Sequence, residues 1–248
     1  MGGLLLAFAA ALGCGATARA APPTLRDRLF GGPSDERAFV TPPVGRFQPD
    51  DGDPFVLDRS AGREVFMKFE SSPEIWALEP TPGPRGDVIY KDDMGEPVLR
   101  ATRLGGLTLF TPERPGGTAA AFAGQASLLR PPPIGGPGAL LQSFAQASER
   151  AARAVHHSVT FETQDVPIAA APLVADTAAV TAEAFVEVAG RGERERTLAG
   201  RFSKVEIGVG AAPEAHAVGE TMRIAIDPDR GFAGRPSSHR IADAIGRR

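Results

Sequence analysis

Hydrophobic residues between positions 54 and 130 occur in short runs, each bounded by glycine, proline or charged residues. In the clearest run, Val65, Met67 and Phe69 occupy alternate positions, which is the period of a β-strand. Several more runs of similar length follow at close spacing. This pattern predicts an antiparallel sheet that curls into a roll, a sandwich or a small barrel, with these three alternatives left open.

Residues 85–112 predict two consecutive hairpins within this sheet. The polar sequence DDMG at 92–95 separates two strand-like runs and predicts the first turn. The glycine pair at 105–106 tolerates positive φ at both positions, so it predicts a two-residue type I′ turn. In the second hairpin this turn would place Ala101 opposite Phe110.

The pattern changes after residue 139. Phe144, Ala147, Ala151 and Val155 recur at helical spacing and predict an amphipathic helix. A strand is predicted at 158–163, where apolar and polar residues alternate.

The segment 176–189 fits two interpretations. Asp176 is a good N-cap and the alanine content favours a helix, whereas valines and alanines at alternate positions would suit a strand. We favour the helix. Residues 205–209 and 222–226 predict two paired strands, and a serine-capped helix is predicted at 240–245. The fold class is therefore α+β.

Composition changes mark the borders of these parts. Residues 21–53 are rich in proline, glycine and charge, and predict an irregular leader. The sequence PPPIGGPG at 131–138 predicts a linker, because its prolines are stiff and its glycines are flexible. The chain is therefore predicted to consist of a signal peptide at 1–20, a leader at 21–53, an antiparallel β-rich domain at 54–130, a linker at 131–138 and an α+β segment at 139–248.

The first 20 residues have the features of an export signal. An apolar run at 4–12 is followed by the A-x-A cleavage sequence at 18–20. Cys14 offers an alternative as a lipid anchor, but the residues before it fit a lipoprotein signal poorly. We therefore favour cleavage after Ala20 and a periplasmic location. The later sequence predicts no transmembrane segment in the mature chain.

The composition excludes several classes of function. A net charge of −3 argues against nucleic-acid binding, which needs clustered positive charge. Only Lys68, Lys91 and Lys204 are lysines among the 27 basic residues, and this arginine bias indicates a bacterial genome rich in G and C. Cys14 is the single cysteine, so a chain cleaved after Ala20 would have no disulfide, thiol nucleophile or cysteine-based metal site.

Two groups of residues contain the types of side chain that a hydrolase uses in its active site. His156 and His157, with Glu162 or Asp165 as an orienting acid, have the types needed for a general base. Neighbouring histidines on a helix point about 100° apart, so they rarely bind one metal ion together.

The second group consists of Ser237, Ser238 and His239, with Asp243 nearby. Adjacent serine and histidine residues at the start of a helix cannot easily approach each other, and no G-x-S-x-G sequence surrounds them. Helix capping explains the serines better.

Trp76 and Tyr90 are the only residues of their kinds and belong to neighbouring predicted strands. They are candidates for ligand binding, although aromatic residues on strands more often pack in a core. Asp92 and Asp93 fit a hairpin turn better than a cation site. The paired glycines lack the context of a phosphate-binding loop, and no cofactor or metal is predicted.

Two stretches of the chain are distinctive, residues 71–112 (SSPEIWALEPTPGPRGDVIYKDDMGEPVLRATRLGGLTLFTP) and residues 231–245 (GFAGRPSSHRIADAI). Both resemble a family of exported bacterial proteins that is defined only as a domain of unknown function. The resemblance covers most of the mature chain and implies a helix at 176–189. It implies no catalytic residue, cofactor or partner.

These observations lead to three hypotheses about function. The first is a non-catalytic envelope protein that binds or scaffolds an unknown envelope component, because no constellation of acid, base, nucleophile or metal ligands stands out. The second is an exported hydrolase with a dispersed active site. The third is a carrier of a small ligand, with its pocket around Trp76 and Tyr90.

Overall fold

A computed structural model of the chain describes residues 42–60, 64–130 and 136–247. The predicted signal peptide, most of the predicted leader and most of the predicted linker lie outside these residues. Among the residues described, an antiparallel β-rich region comes first, and helices with a mixed sheet follow it. The prediction of an α+β fold is confirmed.

The β-rich region is a closed barrel of eight antiparallel strands in chain order. The strands are β1 (Gly45–Pro49), β2 (Phe55–Asp58), β3 (Val65–Phe69), β4 (Trp76–Pro82), β5 (Val88–Lys91), β6 (Pro97–Ala101), β7 (Leu107–Thr111) and β8 (Arg114–Gly124). The barrel closes where β8 pairs with β1. β1 lies in the stretch predicted to be irregular, because its flanking prolines and glycines hide a short alternation.

Side chains fill the interior of the barrel. Every second residue of a strand points inward, and Phe55, Leu57, Met67, Leu99 and Leu109 are fully buried there. Eight strands enclose a space just wide enough for side chains to fill. The interior is therefore a packed core.

The hairpin between β6 and β7 has a longer loop than the sequence predicts. Ala101 pairs with Leu107 and not with Phe110, so the predicted two-residue turn is wrong. The backbone N–H of Gly105 donates to the carbonyl of Thr102 at 3.0 Å, and φ of this glycine is +88°. The hydroxyl of Thr102 accepts from the next glycine's N–H and so closes the loop. Positive φ is needed at one glycine only.

The second half of the chain forms four helices and a four-stranded sheet. The helices are α1 (Pro137–Val155), α2 (Ala171–Gly190), α3 (Glu193–Ala199) and α4 (Ser238–Gly246). The strands are β9 (Thr160–Gln164), β10 (Lys204–Val209), β11 (Glu214–Val218) and β12 (Thr221–Ile226), in the spatial order β11-β12-β10-β9. The predicted pair β10 and β12 is adjacent but parallel, because β11 intervenes in the chain and pairs antiparallel with β12.

Helix α2 forms the centre of this second core. Twelve of its 20 residues are buried, which explains why its sequence shows no clear helical period. The preferred helical interpretation of 176–189 is confirmed, but the helix begins at Ala171, so Asp176 is not its N-cap. Among the described helices, the stretch Ile168–Gly190 has the length and hydropathy to cross a membrane, and 61% of its apolar window is buried inside the fold, as in a core helix.

Candidate functional site

Four hairpin turns lie at one end of the barrel, because every second turn of an antiparallel meander returns to the same side. They connect β1 with β2, β3 with β4, β5 with β6, and β7 with β8. Together with Glu187 of α2 and His239 of α4, they enclose an open space of about 930 Å³. We call this space the barrel-mouth cleft.

Apolar residues line part of this cleft: Phe69, Trp76 and Phe110 are partly exposed, and Val98 and Leu109 form its floor at the barrel core. The ring of Trp76 meets the ring of Phe69 edge-on at 6.1 Å between centroids, and the ring of His239 at 4.8 Å. Trp76 therefore lines the cleft and also links the barrel to α4.

Tyr90 lies elsewhere in the barrel. Its side chain is 1% exposed and packs in the barrel core, so it does not line the cleft with Trp76. The Tyr90 hydroxyl is buried and has no hydrogen-bond partner among the described residues. Burial raises the pKa of Tyr90, although the positive charge of Arg59 acts in the opposite direction.

A buried ionic cluster joins the barrel to the second half of the chain. Arg235, whose side chain is 2% exposed, forms ion pairs with Asp176 of α2 and with Glu74 of the β3–β4 turn. Its Nη2 also donates to the carbonyl oxygen of Ile75 at 2.8 Å. Ser238 donates to Glu74 twice, from its backbone N–H at 3.0 Å and from its hydroxyl at 2.5 Å. We call Arg235, Glu74 and Asp176 the Arg235 cluster.

One guanidinium group in this cluster serves two carboxylates. Burial raises the pKa of Glu74 above its usual value, against the lowering effects of the Arg235 charge and the Ser238 hydrogen bonds. Burial acts to lower the pKa of Arg235, but the charges of Asp176 and Glu74 together raise it. Asp176 is the closer partner of Arg235, so Glu74 is the less compensated of the two acids.

A second polar contact links the β5–β6 turn to the start of α4. Asp93 accepts from the backbone N–H of Ser237 at 3.0 Å, from the Ser237 hydroxyl at 2.6 Å and from Nε of Arg240 at 2.9 Å. The neighbouring Asp92 shapes the turn instead, since its carboxylate accepts from the backbone N–H groups of Met94 and Glu96. Asp93 was assigned to the turn by sequence alone, and its contact across the two halves was missed.

A comparison with known protein families identifies the family of this chain. The model of the family described as Domain of unknown function (DUF4908) matches residues 24–245. The chain belongs to this family. No curated protein and no solved structure matches the chain.

The two distinctive stretches of this DUF4908 chain meet at the contacts described above. Glu74 and Asp93 belong to residues 71–112, whereas Arg235, Ser237 and Ser238 belong to residues 231–245. The family resemblance predicted from these stretches is confirmed as far as a domain of unknown function. In this chain both stretches contribute to holding the barrel against the helices.

The serines of the candidate nucleophilic group have structural partners. The Ser237 hydroxyl caps α4 by accepting from the backbone N–H of Arg240, so the predicted cap is confirmed. Ser237 and Ser238 donate their hydroxyl protons to Asp93 and Glu74, respectively. The ring of His239 packs against Trp76.

The other candidate residues lie apart from the cleft. His156 and His157 are exposed at the end of α1, where His156 adopts a left-handed conformation with φ of +58°. Glu162 forms an ion pair with Lys204, and Asp165 is exposed after β9. In the part of the chain that the structure describes, no three His, Cys, Asp or Glu residues form a possible metal site.

Proposed function

We propose that this DUF4908 protein is an exported, non-catalytic binding protein that holds a small ligand in the barrel-mouth cleft. The cleft volume of about 930 Å³ lies within the range of roughly 300–1,000 Å³ that small-molecule sites have. The neighbouring cavities are smaller, at about 290 and 530 Å³. The observation that carries the proposal is this cleft, with Trp76 in its wall.

The architecture supports a binding role in a second way. The cleft is built from hairpin turns that extend from the packed barrel core. The Arg235 cluster also fixes the β3–β4 turn through Glu74. Turns on a rigid scaffold are common positions for binding residues. Mouths of β-barrels are also frequent ligand sites.

Native mass spectrometry of the protein isolated from its own host tests the binding role. We expect a non-covalently bound mass on the wild type that gentle activation releases. Pro112→Trp would fill the cleft from its rim and remove this mass. Leu104→Trp is the matched control, because Leu104 is 99% exposed at the opposite end of the barrel. An empty wild type, or retention of the mass by the Pro112 variant, would contradict the proposal.

The non-catalytic part of the proposal has its own test. The purified protein should not hydrolyse peptidoglycan, peptide or ester substrates. If it did, and if replacing His156 or His157 by alanine abolished the turnover, the hydrolase hypothesis would be correct instead.

Export is tested by the mass of the protein in a periplasmic extract. We expect a chain that begins at Ala21 and not a lipid-modified chain that begins at Cys14. A chain found in the cytoplasm with its N-terminal 20 residues intact would contradict export.

A further inference from the structure

Carboxylate groups dominate the polar part of the barrel-mouth cleft. The acidic residues that line it are Asp51, Asp53, Asp92, Glu96, Glu113 and Glu187. The lining residues with basic side chains are Arg114 and His239. The cleft therefore has a large excess of negative charge at neutral pH.

Only part of this charge is compensated within the protein. Arg114 forms an ion pair with Asp51, and Arg191 pairs with Glu187 at 2.6 Å. Within the described ranges, Glu96 and Glu113 have no ion-pair partner, and both side chains are exposed to the cleft. Neither of these two is needed for the packing of the barrel.

The negative charges at the cleft also affect the pKa of Asp92. Burial raises the pKa of Asp92, and the negative charges of Asp93 and Glu96 raise it further. A cation placed near Asp92 and Glu96 in the cleft would relieve their repulsion. Opposite charges within a few ångströms attract each other more strongly at a protein surface than in bulk water, so the charge of a ligand affects its binding here.

The wall of the cleft adds a second requirement. Phe69, Trp76 and Phe110 present aromatic surface, which attracts both apolar groups and the charge of an ammonium or guanidinium ion. A purely polar cation would leave this surface uncovered, and a purely apolar molecule would leave the carboxylates uncompensated.

We propose that the barrel-mouth cleft binds a cationic amphiphile, a small molecule with an ammonium or guanidinium group on an apolar body. This inference rests on the proposed binding function and specifies the chemical class of the ligand. The charged group lies near Glu96 and Glu113, and the apolar body lies against Trp76 and Phe69.

Trp76 makes a direct test possible, because it is the only tryptophan in the chain. We would titrate the full protein with octyltrimethylammonium, octyl glucoside and octyl sulfate below their micelle concentrations, and follow the emission of Trp76. The three probes share one apolar chain and differ in head-group charge. We expect saturable binding of the cation, about tenfold tighter than binding of the neutral probe, and no saturable binding of the anion.

The double substitution of Glu96→Gln and Glu113→Gln separates charge from shape. It should abolish most of the preference for the cation and leave binding of octyl glucoside unchanged. Glu214→Gln is the matched control, because Glu214 is exposed on β11 and does not line the cleft.

The outcomes distinguish this inference from the function on which it rests. Equal binding of the cationic and neutral probes, or tighter binding of octyl sulfate, would overturn the cationic class but keep a binding cleft. No binding of any probe, together with a retained mass in native mass spectrometry, would overturn the amphiphile and keep the binding function. If no probe binds and native mass spectrometry shows no bound mass, both the ligand class and the binding function are refuted.

Discussion

Replacing Arg235 by methionine should destabilise the protein strongly. The change leaves the carboxylates of Glu74 and Asp176 buried without their counter-charge, and it leaves the carbonyl oxygen of Ile75 without its donor. Removing one member of a buried ion pair costs about 3–5 kcal/mol, and the lost hydrogen bond acts in the same direction. We expect a loss of about 4 kcal/mol, which is a large part of the 5–15 kcal/mol that typically stabilises a domain.

Urea unfolding followed by circular dichroism would measure this loss. With a typical urea dependence, the midpoint should fall by roughly 2 M. Arg153→Met is the matched control, because its ion pair with Glu149 is exposed and worth at most about 1 kcal/mol. The cost of Arg235→Met should shrink as the pH falls, because protonation of Glu74 removes part of the uncompensated charge. A cost equal to that of Arg153→Met would refute our account of the Arg235 cluster.

Three further predictions concern stability. Gly234→Ala should cost more than about 2 kcal/mol in urea unfolding, because its Cβ would lie 1.8 Å from the carbonyl oxygen of Asp227; Gly116→Ala, which meets no atom within 4 Å, should change little. Gly105→Ala should cost about 1–2 kcal/mol in the same assay, since its φ is +88°, and an unchanged midpoint would contradict the loop geometry. The raised pKa of Glu74 predicts that stability falls as pH rises from 4.5 through the folded-state pKa, and Glu74→Gln should flatten this slope in unfolding curves measured across that range.

Local patterns predicted much of the fold. The predicted face of α1 is the observed one, since Phe144, Ala147, Ala151 and Val155 are its buried residues. Several strands of the barrel were also predicted from short alternating runs, whereas β1 lies in the stretch that was predicted to be irregular. The register of the β6–β7 hairpin was wrong, because two adjacent glycines suggested a tighter turn than the threonine-capped loop that forms.

Contacts between distant parts of the sequence were not predictable in the same way. The pairing of β1 with β8, which closes the barrel, depends on the whole sheet and leaves no local trace. Trp76 was named as a candidate for ligand binding, but the acidic residues of the cleft are spread over three separate turns and helix α2. Glu96 and Glu113 could have been found only by counting the carboxylates in alternate turns of a meander.

The position of the Arg235 cluster has a consequence for how the protein is made. Glu74 and Arg235 are 161 residues apart in the chain. At the usual rate of about 5–20 residues per second, a ribosome needs roughly 8–32 s to pass from one to the other. The barrel sequence is completed within that interval, at Gly124, yet Glu74 must remain hydrated until Arg235 is synthesised. The carboxylate can lose its water in favour of the ion pair only after Arg235 has been synthesised, so residues far downstream of the barrel decide when the nascent barrel reaches its final state.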